Sequence, residues 1–282
     1  MGESTLKQER FRGQNVLITG GSSGIGLATA IEFGKLGANL FLVARHQERL
    51  AAAVQEVKHR VNSEVQVVTL PADVGVRAEI AAVVQRVGTE YGGLHTLINN
   101  AGMVLPSRLA DQSVEDVERV MQVNYLGMLY AVKAAWPYLV AARNGHIGFV
   151  SSVAGYLGLI GYSSYSPTKF AIVGLAECLR MEAKDYHLGV TVIYPPDTDT
   201  PQLAYERAHM LPESRAINES ATATTPAVVA KKFVQGIINY RFEVFCNLET
   251  RLFRWARVLI PGLYFQVIDG IVAKDRRKRG VI

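Results

Sequence analysis

The stretch NVLITGGSSGIG, residues 15–26, decides the fold. Residues 15–19 carry three consecutive apolar side chains, Val16, Leu17 and Ile18, without in–out alternation, the pattern of a strand buried on both faces. The glycine-rich turn that follows opens a helical pattern from about Ile25 to Leu36. Glycines permit positive φ and close backbone approach, and a helix start offers free N–H groups and a positive dipole end. Gly20, Ser22, Ser23, Gly24, Ile25 and Gly26 therefore read as an anion cradle suited to a pyrophosphate.

Outward from this unit, the alternation repeats. Apolar runs at 39–43, 65–70, 94–99, 145–150 and 190–194 are each strand-like. Helical patterns start near 47, 77, 113 and 165. Strands of this kind, each followed by a helix, predict an α/β, Rossmann-like, doubly wound parallel sheet with helices on both faces. After Pro195 the period is lost. Residues 196–225 are rich in Pro, Asp, Thr, Glu and Ser and are expected to be a substrate lid or a partly disordered segment. A helix near 226–240 and a last strand at 242–246 complete a catalytic domain over 1–248, with 249–282 as an amphipathic basic extension.

Composition excludes several classes. The 282 residues are 49% hydrophobic and 20% charged, so the chain is neither disordered nor fibrous. The net charge is +5, yet residues 251–282 hold eight basic and two acidic residues, which leaves the body near neutral and argues against nucleic-acid binding. Two cysteines 68 positions apart read as free thiols of a reducing compartment. No metal site is expected from six scattered histidines. The opening MGESTLKQERFRGQ is polar, so neither secretion nor an N-terminal membrane span is expected.

The second strand ends Val43-Ala44-Arg45. An acidic residue here would suit the ribose hydroxyls of NAD, whereas Arg45 and Arg49 suit a 2′-phosphate and favour NADP(H). Tyr165 and Lys169 are four apart and share one face of a helix. An ammonium beside a phenol favours the phenolate, so Tyr165 is expected to exchange a proton with a carbonyl or alcohol oxygen near neutral pH. Pro167 between them is tolerated if Tyr165 lies in the first turn. Ser152 follows the fifth strand, at the sheet edge where ligands of open α/β folds bind, and its hydroxyl is placed to hold the same oxygen. Ser151 stays open as the alternative.

The glycine turn at 19–26, Asn99-Asn-Ala-Gly102, Asn124, Ser152 and Tyr165-x-x-x-Lys169 resemble, in order and spacing, the short-chain dehydrogenase/reductase family over about residues 13–200. The resemblance implies carbonyl reduction with a nicotinamide cofactor, Tyr165 as proton donor, and Asn124 in a water-mediated relay to Lys169. It also implies cofactor contacts at Asn100. By itself, a mid-helix Asn124 reads as a structural hydrogen-bonder. The runs Tyr194-Pro-Pro-Asp-Thr-Asp-Thr-Pro201 and Ser151-Ser-x-Ala-Gly look like those of the family's 3-ketodihydrosphingosine reductases, which reduce a long-chain keto base with NADPH. That likeness places Pro195, Thr198 and Thr200 on the nicotinamide side and Asp73 and Val74 on the adenine side. Eukaryotic members carry an N-terminal anchor, unlike the polar start here.

A long-chain substrate gives the extension a role. Leu252, Trp255, Ala256, Leu259 and Ile260 follow helical spacing, and Tyr264, Val267, Ile268, Ile271 and Val272 form a second stripe. With the terminal basic run they suit an anionic membrane surface, at the endoplasmic reticulum if the source is eukaryotic. The other option is packing on the domain or between copies. A homo-oligomer is implied by the family. Reduction of another lipophilic carbonyl (steroid, retinoid or fatty acyl ketone) and a non-catalytic nucleotide-binding membrane adaptor are the competing functions.

Overall fold

A computed structural model describes residues 9–61, 65–142, 144–218 and 223–281. Residues 1–8 of the polar N-terminus, 219–222 of the expected lid and 282 of the extension lie outside the described residues.

Seven strands form one sheet in the order β3-β2-β1-β4-β5-β6-β7. They are β1 Asn15–Thr19, β2 Asn39–Ala44, β3 Val67–Pro71, β4 Thr96–Asn99, β5 His146–Val150, β6 Gly189–Tyr194 and β7 Glu243–Phe245. Every pairing is parallel, with Val16 opposite Leu40 on one side and Thr96 on the other. β1, β4, β5 and β6 are buried along their whole length, which is why their sequences carry no alternation. One face is covered by α1 (Gly24–Lys35), α2 (Gln47–Arg60) and α9 (Pro226–Ile238), around Phe33, Leu50 and Phe233. The other is covered by α3 (Arg77–Glu90), α5 (Gly127–Ala141) and α6 (Ser166–Glu182), around Ile80, Leu139 and Ile172. The order reverses between β1 and β4, and the crevice at the carboxyl ends of these strands is where such sheets bind ligands.

The long helix expected over 113–142 is two helices joined by a π-turn. α4 (Val114–Met121) leads into a wide turn at Gln122–Leu126 and then into α5. Such single-turn bulges gather at functional sites, and Asn124 sits in this one, fully buried.

Residues 196–225, which lack a sustained period, fold into two short helices, α7 (Pro201–His209) and α8 (Pro212–Asn218). Thr200 caps α7 by accepting a hydrogen bond from the Leu203 N–H at 3.2 Å, and Pro201 fills the first turn. Each helix is too brief for its apolar positions to register as a repeat.

The extension makes α10 (Leu248–Leu259), capped by Asn247, and α11 (Pro261–Lys278), bent by 116° at Ile260. Among the described residues no single helix is long and apolar enough to cross a membrane; only this bent pair passes by length and composition, taken together. The Tyr156 hydroxyl donates to the Thr250 carbonyl at 2.7 Å and anchors α10. α11 lies on α8, where buried Glu213 accepts from Arg276 and Arg279, each at 3.2 Å, and from Arg108 at 2.7 Å. Against the effect of burial, its own backbone N–H and the three guanidinium groups hold the Glu213 carboxyl well down, at about 2. The two stripes of the extension part company. Leu252, Trp255, Leu259 and Ile260 of the first stay largely exposed, whereas in the second Tyr264 is buried, Ile268, Ile271 and Val272 are partly buried and Val267 stays exposed.

Candidate active site

The turn after β1 is set by steric necessity. Gly20 and Gly24 have φ of +67° and +54°, the left-handed region that favours glycine. A Cβ on Gly26 would lie 2.2 Å from the Gly20 carbonyl oxygen and 2.5 Å from Asn100 Nδ2. Gly26, expected in the cradle, is not among the residues that line the cavity. It stands behind the turn and lets α1 begin hard against it. Asn100 braces the same turn, donating from Nδ2 to the carbonyls of Thr19 at 3.0 Å and Gly20 at 3.1 Å. Asn100 and the rest of the expected cradle, Gly20, Ser22, Ser23, Gly24 and Ile25, line a cavity of about 1000 Å³.

Arg45 and Arg49 sit at one end of this cavity. A smaller recess beside them is lined by Asp73 and Val74. Asp73 is tied to Arg119 at 2.6 Å and accepts from the Gly75 N–H at 2.8 Å, so its carboxylate is already engaged and its pKa is lowered despite partial burial. Pro195, Thr198 and Thr200 line the middle. Thr200 also closes over the turn, because a Cβ on Gly24 would come within 2.9 Å of Thr200 Cγ2.

Tyr165 is the residue just before α6, and Pro167 falls in the first turn, where it costs no helix hydrogen bond. The Lys169 N–H still reaches the Tyr165 carbonyl at 3.2 Å. Lys169 thus stays on the tyrosine's face, its Nζ 5.4 Å from the phenol ring centre. The ammonium donates to the Val150 carbonyl at 3.1 Å. Both side chains are buried.

The electrostatic balance departs from the sequence expectation. Burial pushes the Tyr165 phenol above its ordinary value, and the nearby Glu206 and Asp197 charges add to this. Ser152 and Gln202 act the other way by hydrogen bonding. Burial also draws Lys169 down to about 8. In this arrangement the phenol keeps its proton at neutral pH, the state a proton donor needs.

The two serines separate cleanly. Ser151 Oγ is buried and donates to the Lys169 carbonyl at 3.1 Å. Ser152 is the one that faces the phenol. Asn124 is hydrogen-bonded through both ends of its amide. Its Oδ1 accepts from the Met103 N–H at 2.8 Å, and its Nδ2 donates to the Met103 carbonyl at 2.9 Å and to Thr168 Oγ1 at 3.1 Å. It pins the loop after β4 to the first turn of α6, beside Lys169.

Beyond Tyr165 the cavity runs between α7, α10 and α11. Tyr162, Gln202 and Glu206 line it close to the phenol, and Phe253, Tyr264, Ile268 and Ile271 line it further out. Gln202 and Glu206 escape sequence reasoning, since nothing in a non-periodic segment marks which polar residues turn inward. The only available signal was their spacing of four.

A parallel sheet with a glycine cradle at its reversal point, and a serine, tyrosine and lysine gathered beside it, defines an oxidoreductase that works between alcohols and carbonyl groups. The chain belongs to the short chain dehydrogenase family, which it matches over residues 14–211. It is 42% identical over 233 residues to a Bos taurus 3-ketodihydrosphingosine reductase, covering 82% of this chain and 70% of the relative. A Dictyostelium discoideum protein of the same description is 35% identical across 97% of this chain and 86% of its own length. Among solved structures, a short-chain dehydrogenase from Sphingobium yanoikuyae in complex with NADPH superposes with a TM-score of 0.75 at 28% identity, covering 91% of this chain and 95% of that one.

Proposed function

We propose that the protein catalyses NADPH-dependent reduction of the 3-keto group of 3-ketodihydrosphingosine to dihydrosphingosine, a step of sphingolipid synthesis. One observation carries this reading: a single cavity joins the glycine cradle and Arg45 and Arg49 to Ser152 and Tyr165, then continues past them along apolar side chains of α10 and α11. The similarity to reductases of that name, and to a family member bound to NADPH, supports the substrate and the cofactor.

The residues fit a phosphorylated dinucleotide. Gly20, Ser22, Ser23, Gly24 and Ile25 would take the pyrophosphate, with no Cβ in the way at the glycines. Arg45 and Arg49 would take the 2′-phosphate, Asp73 and Val74 the adenine side, and Asn100, Pro195, Thr198 and Thr200 the nicotinamide side. When bound, the cofactor supplies the hydride for the carbonyl carbon. Tyr165 gives its proton to the carbonyl oxygen, and Ser152 donates a hydrogen bond to the same oxygen. Lys169, held on the Val150 carbonyl, places positive charge beside the phenolate that results.

The exposed Leu252, Trp255, Leu259 and Ile260 lie on the outside of the wall that encloses the apolar end of the cavity. With the arginines of the same helix, this supports peripheral contact with an anionic membrane surface, where a long-chain substrate resides. Phe170 and Met181 of α6 are also exposed, which supports pairing of two copies across that helix.

The test is a panel of carbonyl substrates with NADPH and NADH, with and without anionic liposomes. The expected result is NADPH oxidation with dihydrosphingosine as product, accelerated by liposomes. Turnover of steroidal or short ketones with none of 3-ketodihydrosphingosine would discard the substrate.

A further inference from the structure

We infer that Glu206 selects an amino ketone over a plain ketone, by receiving the substrate's ammonium beside the carbonyl oxygen that Tyr165 protonates. This rests on the reading of the site as a keto-base reductase and adds the group that recognises the amine.

The placement comes from α7. Gln202 and Glu206 are four residues apart and therefore share one face of that helix. Gln202 reaches the Tyr165 phenol, and Glu206 is close enough for its charge to act on the same phenol. Glu206 lines the cavity and is half-buried there. Its Oε1 accepts from the Tyr162 hydroxyl at 2.5 Å, and the Tyr162 ring stands edge-on to Tyr165 with centres 6.1 Å apart. The carboxylate is thus fixed in position relative to the proton donor by two aromatic rings.

What Glu206 lacks is a cation. Among the described residues it has no ion pair. Arg207, next in the chain, is exposed and offers only a distant charge. Lys169 is committed to the Val150 carbonyl. Burial, with Asp197 nearby, raises the Glu206 pKa, as befits a carboxylate short of positive charge, while the far end of the cavity is apolar. A carboxylate withdrawn from water is costly unless a cation meets it. In 3-ketodihydrosphingosine the nitrogen sits on the carbon next to the ketone, so the oxygen and the ammonium must bind side by side. The phenol and Glu206 offer that pair of partners on one wall, and the alkyl chain is left to the apolar end.

The experiment uses the full chain with NADPH and two ketones of equal chain length, 3-ketodihydrosphingosine and its analogue lacking the amine, in the same detergent. The wild-type protein is expected to show a KM for the amino ketone at least tenfold below that for the analogue. Glu206→Gln is expected to raise the amino-ketone KM about tenfold with a smaller change in kcat, so that the ratio between the two ketones collapses toward one. Glu206→Asp should restore part of that ratio. NADPH binding by fluorescence reports that each variant is folded. Equal loss of kcat on both ketones would overturn the inference, since Glu206 would then act on the phenol rather than on the amine. If neither variant folds, the wild-type ratio still decides, and a ratio near one overturns it. Reduction of neither ketone would instead remove the proposed function and this inference with it.

Discussion

The two ends of the cavity are built by different means. The nucleotide end is made of backbone: glycines at the tip of β1, a helix start, and an asparagine amide bracing both. The substrate end is made of side chains on four short or late helices, held by caps and ion pairs. A backbone site tolerates little variation, because a Cβ on Gly20 or Gly26 collides with main chain that cannot easily move. A side-chain site can be rebuilt by substitution without touching the sheet. The difference teaches which end a substitution can reshape: the side-chain end, not the glycine turn.

Breaking the junction between the two ends gives the largest expected effect. Tyr165→Phe removes the proposed proton donor and should lower kcat by about 10²–10⁴-fold, while NADPH still quenches intrinsic fluorescence on binding. Retention of full turnover would show that another group supplies the proton.

Next comes the backbone end. Gly26→Ala puts a methyl 2.2 Å from a carbonyl oxygen, so the turn must open. NADPH affinity, by titration calorimetry, should fall by about 100-fold, equivalent to roughly 3 kcal/mol. Unaltered affinity would mean that the cradle is softer than its packing implies.

Arg45→Ala sharpens the comparison, since it alters a side chain at the backbone end. It should lower the preference for NADPH over NADH by about tenfold, read from kcat/KM with each, as expected when one charge-assisted hydrogen bond is lost. An unchanged preference would leave the 2′-phosphate to Arg49.

The smallest effect belongs to the ion-pair latch. Glu213→Gln should lower the melting temperature at pH 7 by about 5 °C. A carboxyl held at about 2, against an ordinary 4.5, lends stability above pH 4.5 that is lost as pH falls from there toward 2. The variant should therefore lose less stability than the wild type between pH 5 and pH 3 in thermal unfolding. An identical pH slope in both proteins would show that the latch does not hold the wall.

Legibility in the sequence follows the same division. The strands of the sheet, the glycine turn and the Tyr165–Lys169 pair repeat or crowd together along the chain, so local pattern exposes them. α7 and α8 do not, because each begins at a proline and ends within three turns, leaving the 3.6-residue period no room to show. The π-turn at Asn124 hides for a related reason: one extra residue inside a long helical pattern leaves the apolar spacing nearly intact. The cationic neighbour alone would make Tyr165 acidic. Burial and two carboxylates brought in from α7 and from the loop after β6 reverse the sign, and neither is visible at a spacing of four. Of the two apolar stripes in the extension, composition could not say which faces inward. Contact with α8 turns the face of α11 bearing Tyr264 and Ile268 toward the cavity, and α10 is left with most of its stripe outside.

α11 encloses a site whose glycine cradle lies more than two hundred residues earlier in the chain. During translation the cradle is made well before the helix that lines the far end. The far wall of the cavity is therefore the last part of the fold to be made, after every strand of the sheet.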